Sequence, residues 1–171
     1  QEGLDTIGTS AFTMVNMGTQ IELVLPRSVE YIGPFAFSSI TVDDLYLGGE
    51  LNYLDNAALG FPTVNHLVVD GADGVEFGYF TIIDGLKTVY VDGVDSIDGF
   101  EDNDELRAFV INSDGVSFED DAFPANSNVV FYVNPECTES MAAAKELGIG
   151  TVKEYEPLTV SASTDPILVE A

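Results

Sequence analysis

The chain has 171 residues, the size of one sizeable domain, and 46% of them are hydrophobic, so a packed core is expected. Thirty acidic residues against five basic ones give a formal net charge of −25, which disfavours nucleic acid and anionic membrane surfaces as partners. The single cysteine, Cys137, excludes an intrachain disulfide, and no apolar run reaches the ~20 residues that a membrane-spanning helix needs.

The N-terminal segment matches the middle of a later segment. Ile7-Gly8 and Ala11-Phe12 are repeated as Ile32-Gly33 and Ala36-Phe37, each 25 residues further along the chain. The strand that precedes Ile32 has no counterpart before Ile7. We therefore expect the sequence to begin within a repeat, and the parent protein to carry at least one more turn or a cap upstream.

Six short apolar runs recur along the chain, and each ends in a triplet whose first and third residues are apolar. The triplets are Leu23-Val24-Leu25, Leu45-Tyr46-Leu47, Leu67-Val68-Val69, Val89-Tyr90-Val91, Phe109-Val110-Ile111 and Phe131-Tyr132-Val133. Their last residues are spaced by 22, 22, 22, 20 and 22 positions. A period in this range predicts a solenoid, in which one supersecondary unit stacks on the next.

Between the triplets, each repeat has the same order of features. A turn rich in Gly, Pro, Asp and Ser follows the triplet, then a second apolar pair such as Val29 and Ile32, and then a third apolar anchor. The anchors are Ala36-Phe37, Ala58-Leu59, Phe80, Phe100 and Ala122-Phe123. We therefore predict a coil with three inward edges per turn, whose stacked turns share one hydrophobic core.

The C-terminal part differs from the repeats. Residues 135–148 predict a short helix that begins with Thr138 or Ser140 as its N-cap and stops at Gly148. A helix at this place would be the atypical terminal unit that covers the core of the last turn. A further extended piece is predicted over residues 152–155.

These features divide the chain into two parts. The solenoid is predicted over residues 1–155, with its capping segment at about 134–155. Residues 156–171 predict a linker or tail, since they contain Ser, Thr and Pro. Within them, Ile167-Leu168-Val169 starts a new apolar run, as expected if the chain leads into a further domain.

Residues 21–37 (IELVLPRSVEYIGPFAF) hold the repeat features in one continuous pattern: a strand that ends in L-P-x-S-V, then I-G, then A-F. This pattern resembles the BspA-like leucine-rich repeat family of bacterial surface proteins. Residues 5–12 and 115–123 match the later half of the pattern, and residues 132–147 resemble the terminal unit of such arrays. The resemblance covers residues 4–150, with degenerate third to fifth repeats.

The resemblance implies an α/β repeat solenoid: a β-rich, right-handed superhelix with a parallel sheet on one face and a short C-terminal capping helix. It also implies a secreted or surface-attached bacterial protein that acts as an adhesin. We therefore expect a non-enzymatic, monomeric binding module at the bacterial cell surface, without membrane insertion, whose partner is an extracellular protein or glycan. The alternatives are a structural spacer that displays other domains and has no ligand, and a glycan-processing enzyme built on the acidic residues.

The middle residue of each triplet is predicted to face outward, because side chains of a strand alternate between two faces. Neighbouring strands lie ~4.8 Å apart, so the tyrosines of alternate triplets would recur every ~10 Å. Tyrosine beside polar groups is favoured on surfaces that recognise proteins and sugars, so we predict a ligand site on this face. The predicted site residues are Tyr46, Tyr90, Tyr132, Val68, Asp44, Asp70, Asp92 and Asn112. The alternative is that Tyr and Val only suit a pleated surface.

Two basic residues occupy one repeat position. Lys87 and Arg107 each lie four residues before the end of their triplets, and we expect them to align with Asp43 and Asn65 on neighbouring turns. A small cationic spot there would accept a carboxylate. The alternative is that the two residues relieve the repulsion between acidic side chains, since exposed ion pairs contribute little.

Metal and catalytic sites find little support in the sequence. The acidic run at residues 92–105 does not match the EF-hand pattern, so we expect a solvated loop, with weak Ca²⁺ binding left open. His66, the only histidine, is expected at the surface, some three repeats from Cys137. No phosphate-binding loop, dinucleotide fingerprint or zinc pattern is present, so we predict neither enzymatic activity nor a cofactor.

Overall fold

The computed structural model describes residues 3–16, 21–55, 57–60, 62–77, 83–120, 122–124 and 127–155. Two predicted features, the Phe80 anchor and the tail over residues 156–171, lie outside these residues. The strands in chain order are β1 (Thr6–Ile7), β2 (Glu22–Val24), β3 (Tyr31–Ile32), β4 (Asp44–Leu51), β5 (Tyr53–Leu54), β6 (His66–Phe77), β7 (Thr88–Ile97), β8 (Ala108–Ile111), β9 (Ser117–Phe118), β10 (Val130–Val133) and β11 (Thr151–Glu154). One helix, α1 (Thr138–Glu146), lies between β10 and β11.

The described chain forms a β-solenoid of about six turns, as the repeat spacing predicted. Its main sheet has the strand order β2-β4-β6-β7-β8-β10-β11, and every neighbouring pair is parallel. The register aligns the first residues of successive triplets, from Leu23 beside Leu45 to Phe109 beside Phe131. Equivalent triplet positions of successive repeats therefore lie side by side in the sheet.

Two further sides complete each turn. A second parallel sheet contains β1, β3 and β5, and a column of isolated parallel bridges joins Asn16, Thr41, Thr63 and Asp84. The sequence predicted inward-facing residues on these sides but no hydrogen-bonded strands. The repeat explains them, because stacked turns bring the same position of each repeat within hydrogen-bonding distance of the next.

The core contains the residues that the repeat pattern placed inside. The first and third residues of the triplets are buried, apart from the half-buried Leu23 on the first strand of the main sheet. The described anchors Phe37, Phe100 and Phe123 are buried as well. In the last turns the rings pack on one another: the ring centroids of Phe123 and Phe131 are 5.0 Å apart and perpendicular.

The C-terminal helix is confirmed, but its predicted N-cap is wrong. Cys137 is the N-cap residue and makes no side-chain capping bond. Instead, the Oδ1 atom of Asp114, from the preceding turn, accepts a hydrogen bond from the backbone N–H of Glu139 at 2.9 Å. Ser140 is fully buried, where its hydroxyl donates to the carbonyl of Ser113 at 2.7 Å. The cap therefore ties the helix to the last turns, which a local capping motif would not do.

The end of the helix and the segment after it agree with the sequence. Gly148 has a φ of +64° and its N–H donates to the carbonyl of Lys145, as expected for a glycine that terminates a helix. Strand β11 then pairs with β10 along its whole length, so the predicted extended segment is the last strand of the main sheet.

Candidate functional site

The outward face of the main sheet carries the middle residues of the triplets in one continuous row. Tyr46 pairs in register with Val68, and Val68 with Tyr90, so tyrosines occupy alternate strands as expected. Lys153 of β11 extends the row beyond Tyr132. The row consists of Val24, Tyr46, Val68, Tyr90, Val110, Tyr132 and Lys153.

A ladder of side-chain hydrogen bonds runs beside this row, directly after the triplets. The amide Nδ2 of Asn112 donates to Oδ2 of Asp92 at 2.7 Å, and the amide Nδ2 of Asn134 donates to Oδ1 of Asn112 at 2.7 Å. The hydroxyl of Tyr155 also donates to Oδ1 of Asn112, at 3.2 Å. Two predicted site residues, Asp92 and Asn112, are therefore engaged with the chain itself.

The sequence prediction omitted Asn134 and Tyr155 from this ladder. Asn134 directly follows its triplet, as Asn112 does, so the repeat register would have identified it. Tyr155 carries no such signal, because it follows β11, which is not a triplet. Its contact with Asn112 spans 43 residues of sequence and exists only in the folded chain.

The C-terminal part of the row is covered by side chains of the chain itself. Val110 was predicted to face solvent but is only 9% exposed. It lies between Tyr90 and Tyr132 in register, and Tyr155 reaches Asn112 beside it, so larger side chains shield it. The Nζ of Lys153 lies 5.7 Å from the ring centroid of Tyr132. We call this region, from Tyr90 to Tyr132, the covered half.

Burial raises the pKa values of two tyrosines in this region. Burial is the largest cause that raises the pKa of Tyr90, and the neighbouring Tyr155 raises it further. The pKa of Tyr155 itself is raised to about 12, again mainly by burial. Both phenols therefore remain neutral, as hydrogen-bonding groups, throughout the physiological range of pH.

The N-terminal part of the row is open to solvent and contains a groove. The groove has a volume of about 160 Å³ and is lined in part by Val24, Tyr46, Val68 and Gly48. Val24 is 57% exposed, whereas the next five residues of the row, from Tyr46 to Tyr132, are half-buried or buried. We call this region, with Asp44 and Asp70 beside it, the open half.

The open half is flanked by carboxylates whose negative charge and hydrogen-bonding capacity are only partly satisfied by neighbouring groups. Asp44 has a buried Oδ1 atom with no hydrogen-bond partner among the described residues. Burial raises the pKa of Asp44, and the pKa of Asp70 is raised by burial and then by Asp92. Arg27 opposes the shift at Asp70, but the two charged groups are 3.8 Å apart and the Arg27 side chain is 82% exposed. An ion pair this long and this exposed to solvent contributes little stability.

Burial also raises the pKa of Tyr46 in the open half, to about 12, with further contributions from Asp44 and Glu22. Its phenol is therefore neutral and lies among negative charges. Four of the eight predicted site residues, Tyr46, Val68, Asp44 and Asp70, belong to this open half. The other four belong to the covered half or its ladder.

The two basic residues align in the backbone as predicted. The N–H of Arg107 donates to the carbonyl of Lys87, and the N–H of Lys87 donates to the carbonyl of Asn65. Their side chains diverge, however. Lys87 Nζ donates to Oδ1 of Asn65 at 2.9 Å, and Asn65 in turn donates to Asp43. Arg107 instead donates to the carbonyl of Asp104 at 2.7 Å. Lys87 and Arg107 therefore have different hydrogen-bond partners, although their backbones are aligned.

His66 and Cys137, the remaining side chains with catalytic chemistry, are hydrogen-bonded or buried within the fold. Nδ1 of His66 lies 2.6 Å from the hydroxyl oxygen of Thr88, its neighbour on β7. Cys137 is buried, and burial raises the pKa of its thiol. In the part of the chain that the structure describes, no group of three or more His, Cys, Asp or Glu side chains is placed to hold a metal ion. Among the same residues, no helix has the length and apolarity to span a membrane.

A second exposed aromatic pair was not predicted. Tyr31 and Tyr53, on neighbouring strands of the second sheet, stack with ring centroids 4.9 Å apart and planes within 8°. They are 40% and 46% exposed, and the Tyr53 hydroxyl donates to Asp55 at 3.2 Å. Their separation of 22 residues was a usable signal, since it equals the repeat period.

Comparison of the chain with protein-family models, with curated proteins and with solved structures finds no match. The class of fold is that of a β-solenoid built from parallel sheets. The geometry and charge of the outward face are therefore the features from which a function can be inferred.

Proposed function

We propose that the chain is a non-enzymatic binding module that holds an extracellular protein or glycan on the open half of its main sheet. The observation that carries this proposal is the contrast between the two halves of the row. The chain covers Tyr90, Val110 and Tyr132 with its own side chains, while Val24 and the groove beside Tyr46 remain accessible. Tyrosine with flanking polar groups is a favoured recognition surface.

The size of the described cavities supports a macromolecular ligand. Small-molecule pockets are about 300–1,000 Å³ in volume and bury most of their ligand. The groove is about 160 Å³, and a second, polar cavity beside Asn103 and Arg107 is about 260 Å³. A ligand that lies across the sheet and uses the groove for one of its groups suits these dimensions.

The resemblance to BspA-like leucine-rich repeats supports the biological setting of the proposal. It rests on the L-P-x-S-V, I-G and A-F pattern of residues 21–37. On this basis, we propose that the chain belongs to that family and acts as a monomeric adhesion module at a bacterial cell surface. The high negative charge suits solubility outside the cell and steers cationic partners toward the surface.

The test is a binding panel of host matrix proteins, mucins and glycans at physiological salt, with two matched tyrosine variants. Tyr46→Ala removes the ring from the open half, and Tyr132→Ala removes the equivalent ring from the covered half. We expect saturable binding that Tyr46→Ala abolishes and Tyr132→Ala retains. Circular dichroism and a melting curve of each variant serve as the control for folding.

Unchanged binding in Tyr46→Ala would overturn the proposed site. If no ligand in the panel binds the folded chain, the adhesion proposal fails. The spacer function would then be favoured, because the bonded ladder from Asp92 to Tyr155 shows that much of this face already satisfies its own polar groups.

A further inference from the structure

The groove of the open half matches the size of a single amino-acid side chain. Its volume is about 160 Å³, and apolar surface from Val24, Val68 and Tyr46 lines it. Gly48 contributes no side chain there, and an added Cβ would lie only 1.7 Å from the carbonyl oxygen of Asp70. The missing Cβ therefore lets β4 and β6 approach closely beside the groove, and the volume of the groove suits one long side chain with an apolar stem.

Asp70 lines the groove, and further carboxylates lie near it on the neighbouring strands. Asp44 precedes Tyr46 by two residues and Asp70 follows Val68 by two, so each is about 7 Å along its strand from the row. Glu22 pairs in register with Asp44 and adds a third acidic residue. Arg27 is the one basic residue that lines the groove, and it is loosely paired with Asp70. This part of the face is therefore negative, like the whole chain.

The negative charge on this surface is only partly compensated within the chain. The buried Oδ1 atom of Asp44 has no hydrogen-bond partner among the described residues. In the covered half, the chain places a cation of its own over the row: the Lys153 ammonium lies 5.7 Å from the ring centroid of Tyr132. Tyr46 occupies the equivalent position in the open half. A cation from another molecule would make there the contact that Lys153 makes within the chain.

From this geometry we infer that the ligand of the open half is a basic protein segment, which inserts a lysine or arginine side chain into the groove. The inference rests on the proposed function and names the class of its ligand. The methylene stem packs on Val24 and Tyr46, and the charged head lies toward Asp44 or Asp70. The same carboxylates repel acidic peptides and acidic glycans, so charge sets the specificity.

The test uses a synthetic peptide of alternating lysine and threonine, and the matched peptide with glutamate in place of lysine. Their binding to the intact chain is measured by calorimetry at low and at physiological salt. Asp70→Asn and Glu101→Gln each remove one negative charge, but Glu101 is an exposed residue outside the groove. Asn112 and Asn134 already occupy the ladder position of Asp70 on other turns, so Asp70→Asn is expected to fold.

We expect saturable binding of the lysine peptide only. Asp70→Asn should weaken this binding about five-fold, Tyr46→Ala about ten-fold or more, and Glu101→Gln by less than about two-fold. The effect of Asp70→Asn should be smaller at physiological salt than at low salt, because screening weakens exposed charge pairs.

Two results would overturn the inference: no binding of the lysine peptide, or equal losses in Asp70→Asn and Glu101→Gln, which would indicate only a general attraction to an acidic protein. The proposed function is judged separately. If a neutral or acidic ligand from the panel binds and Tyr46→Ala abolishes its binding, the face is a binding site but its ligand class is not basic. If neither the panel nor the peptide binds, both proposals fail.

Discussion

Gly48→Ala tests most directly how closely β4 and β6 pack beside the groove. Gly48 has a φ of +127°, a backbone conformation that residues with a side chain rarely adopt. An alanine Cβ at this position would lie 1.7 Å from the carbonyl oxygen of Asp70 and 2.5 Å from its carbonyl carbon. Both contacts are with the backbone of β6, so no side-chain rotation relieves them. The substitution must displace β4 from β6 where Gly48 pairs with Asp70.

The expected loss follows from these two effects. Backbone strain of this kind costs about 1–3 kcal/mol, and a lost hydrogen bond of the sheet adds about 1 kcal/mol. We therefore expect the free energy of unfolding to fall by about 3 kcal/mol. For a chain of 150–250 residues, each kcal/mol corresponds to about 2–4 °C, so Tm should fall by about 6–12 °C. Thermal and urea unfolding, followed by circular dichroism, measure both quantities.

Gly8→Ala is the matched control. A Cβ at Gly8 has no heavy atom within 4 Å, and this glycine has no positive φ. Its Tm should change by no more than about 2 °C. If Gly48→Ala melts together with Gly8→Ala and the unaltered chain, the close approach of β4 and β6 at Asp70 is not a feature of the folded protein.

Two further predictions concern the ladder and the tyrosines. Asn112→Ala removes three side-chain hydrogen bonds, one of them to the Asp92 carboxylate, and should lower the free energy of unfolding in urea by about 2–3 kcal/mol. The exposed Asn128→Ala is its control, and equal losses in the two variants would contradict the ladder's role. The pKa values of Tyr46 and Tyr155 are raised from 10.0 to about 12, so the folded state favours their neutral forms. Their contribution to the free energy of unfolding should therefore be fully present below pH 10 and should decline as the pH rises toward 12. Urea unfolding across this window measures the decline, which should be smaller when both residues are phenylalanine. Constant stability from pH 10 to 12 would refute this assignment.

The sequence predicted the main sheet well because its signal is a period. The triplets lie 22 residues apart with one step of 20, and the sheet pairs them in register. The deviation at the short step is absorbed before Phe109, which still pairs with Val89. Alternation along each strand then assigned the inward and outward residues, because a strand has two faces.

The candidate site was only partly predictable, because a period does not distinguish residues at equivalent positions of different repeats. Periodicity places Tyr46, Tyr90 and Tyr132 in equivalent positions, so the sequence treats them alike. The folded chain distinguishes them, because Tyr155 and Lys153 lie over one end of the row and not the other. Likewise, the helix cap came from Asp114 and not from Thr138 or Ser140, since the nearest acceptor in space belongs to another turn.

The sequence by itself determined the repeat, the register of the main sheet, the inward residues and the terminal helix. Each of these follows from local chemistry repeated at a fixed spacing, which needs no knowledge of distant contacts. Only the tertiary structure decided that Val110 is shielded, that Asp44 lacks a hydrogen-bond partner among the described residues, and that a groove lies beside Gly48. Accessibility and charge compensation depend on which side chains meet when the turns stack, and that meeting is not a periodic property of the sequence.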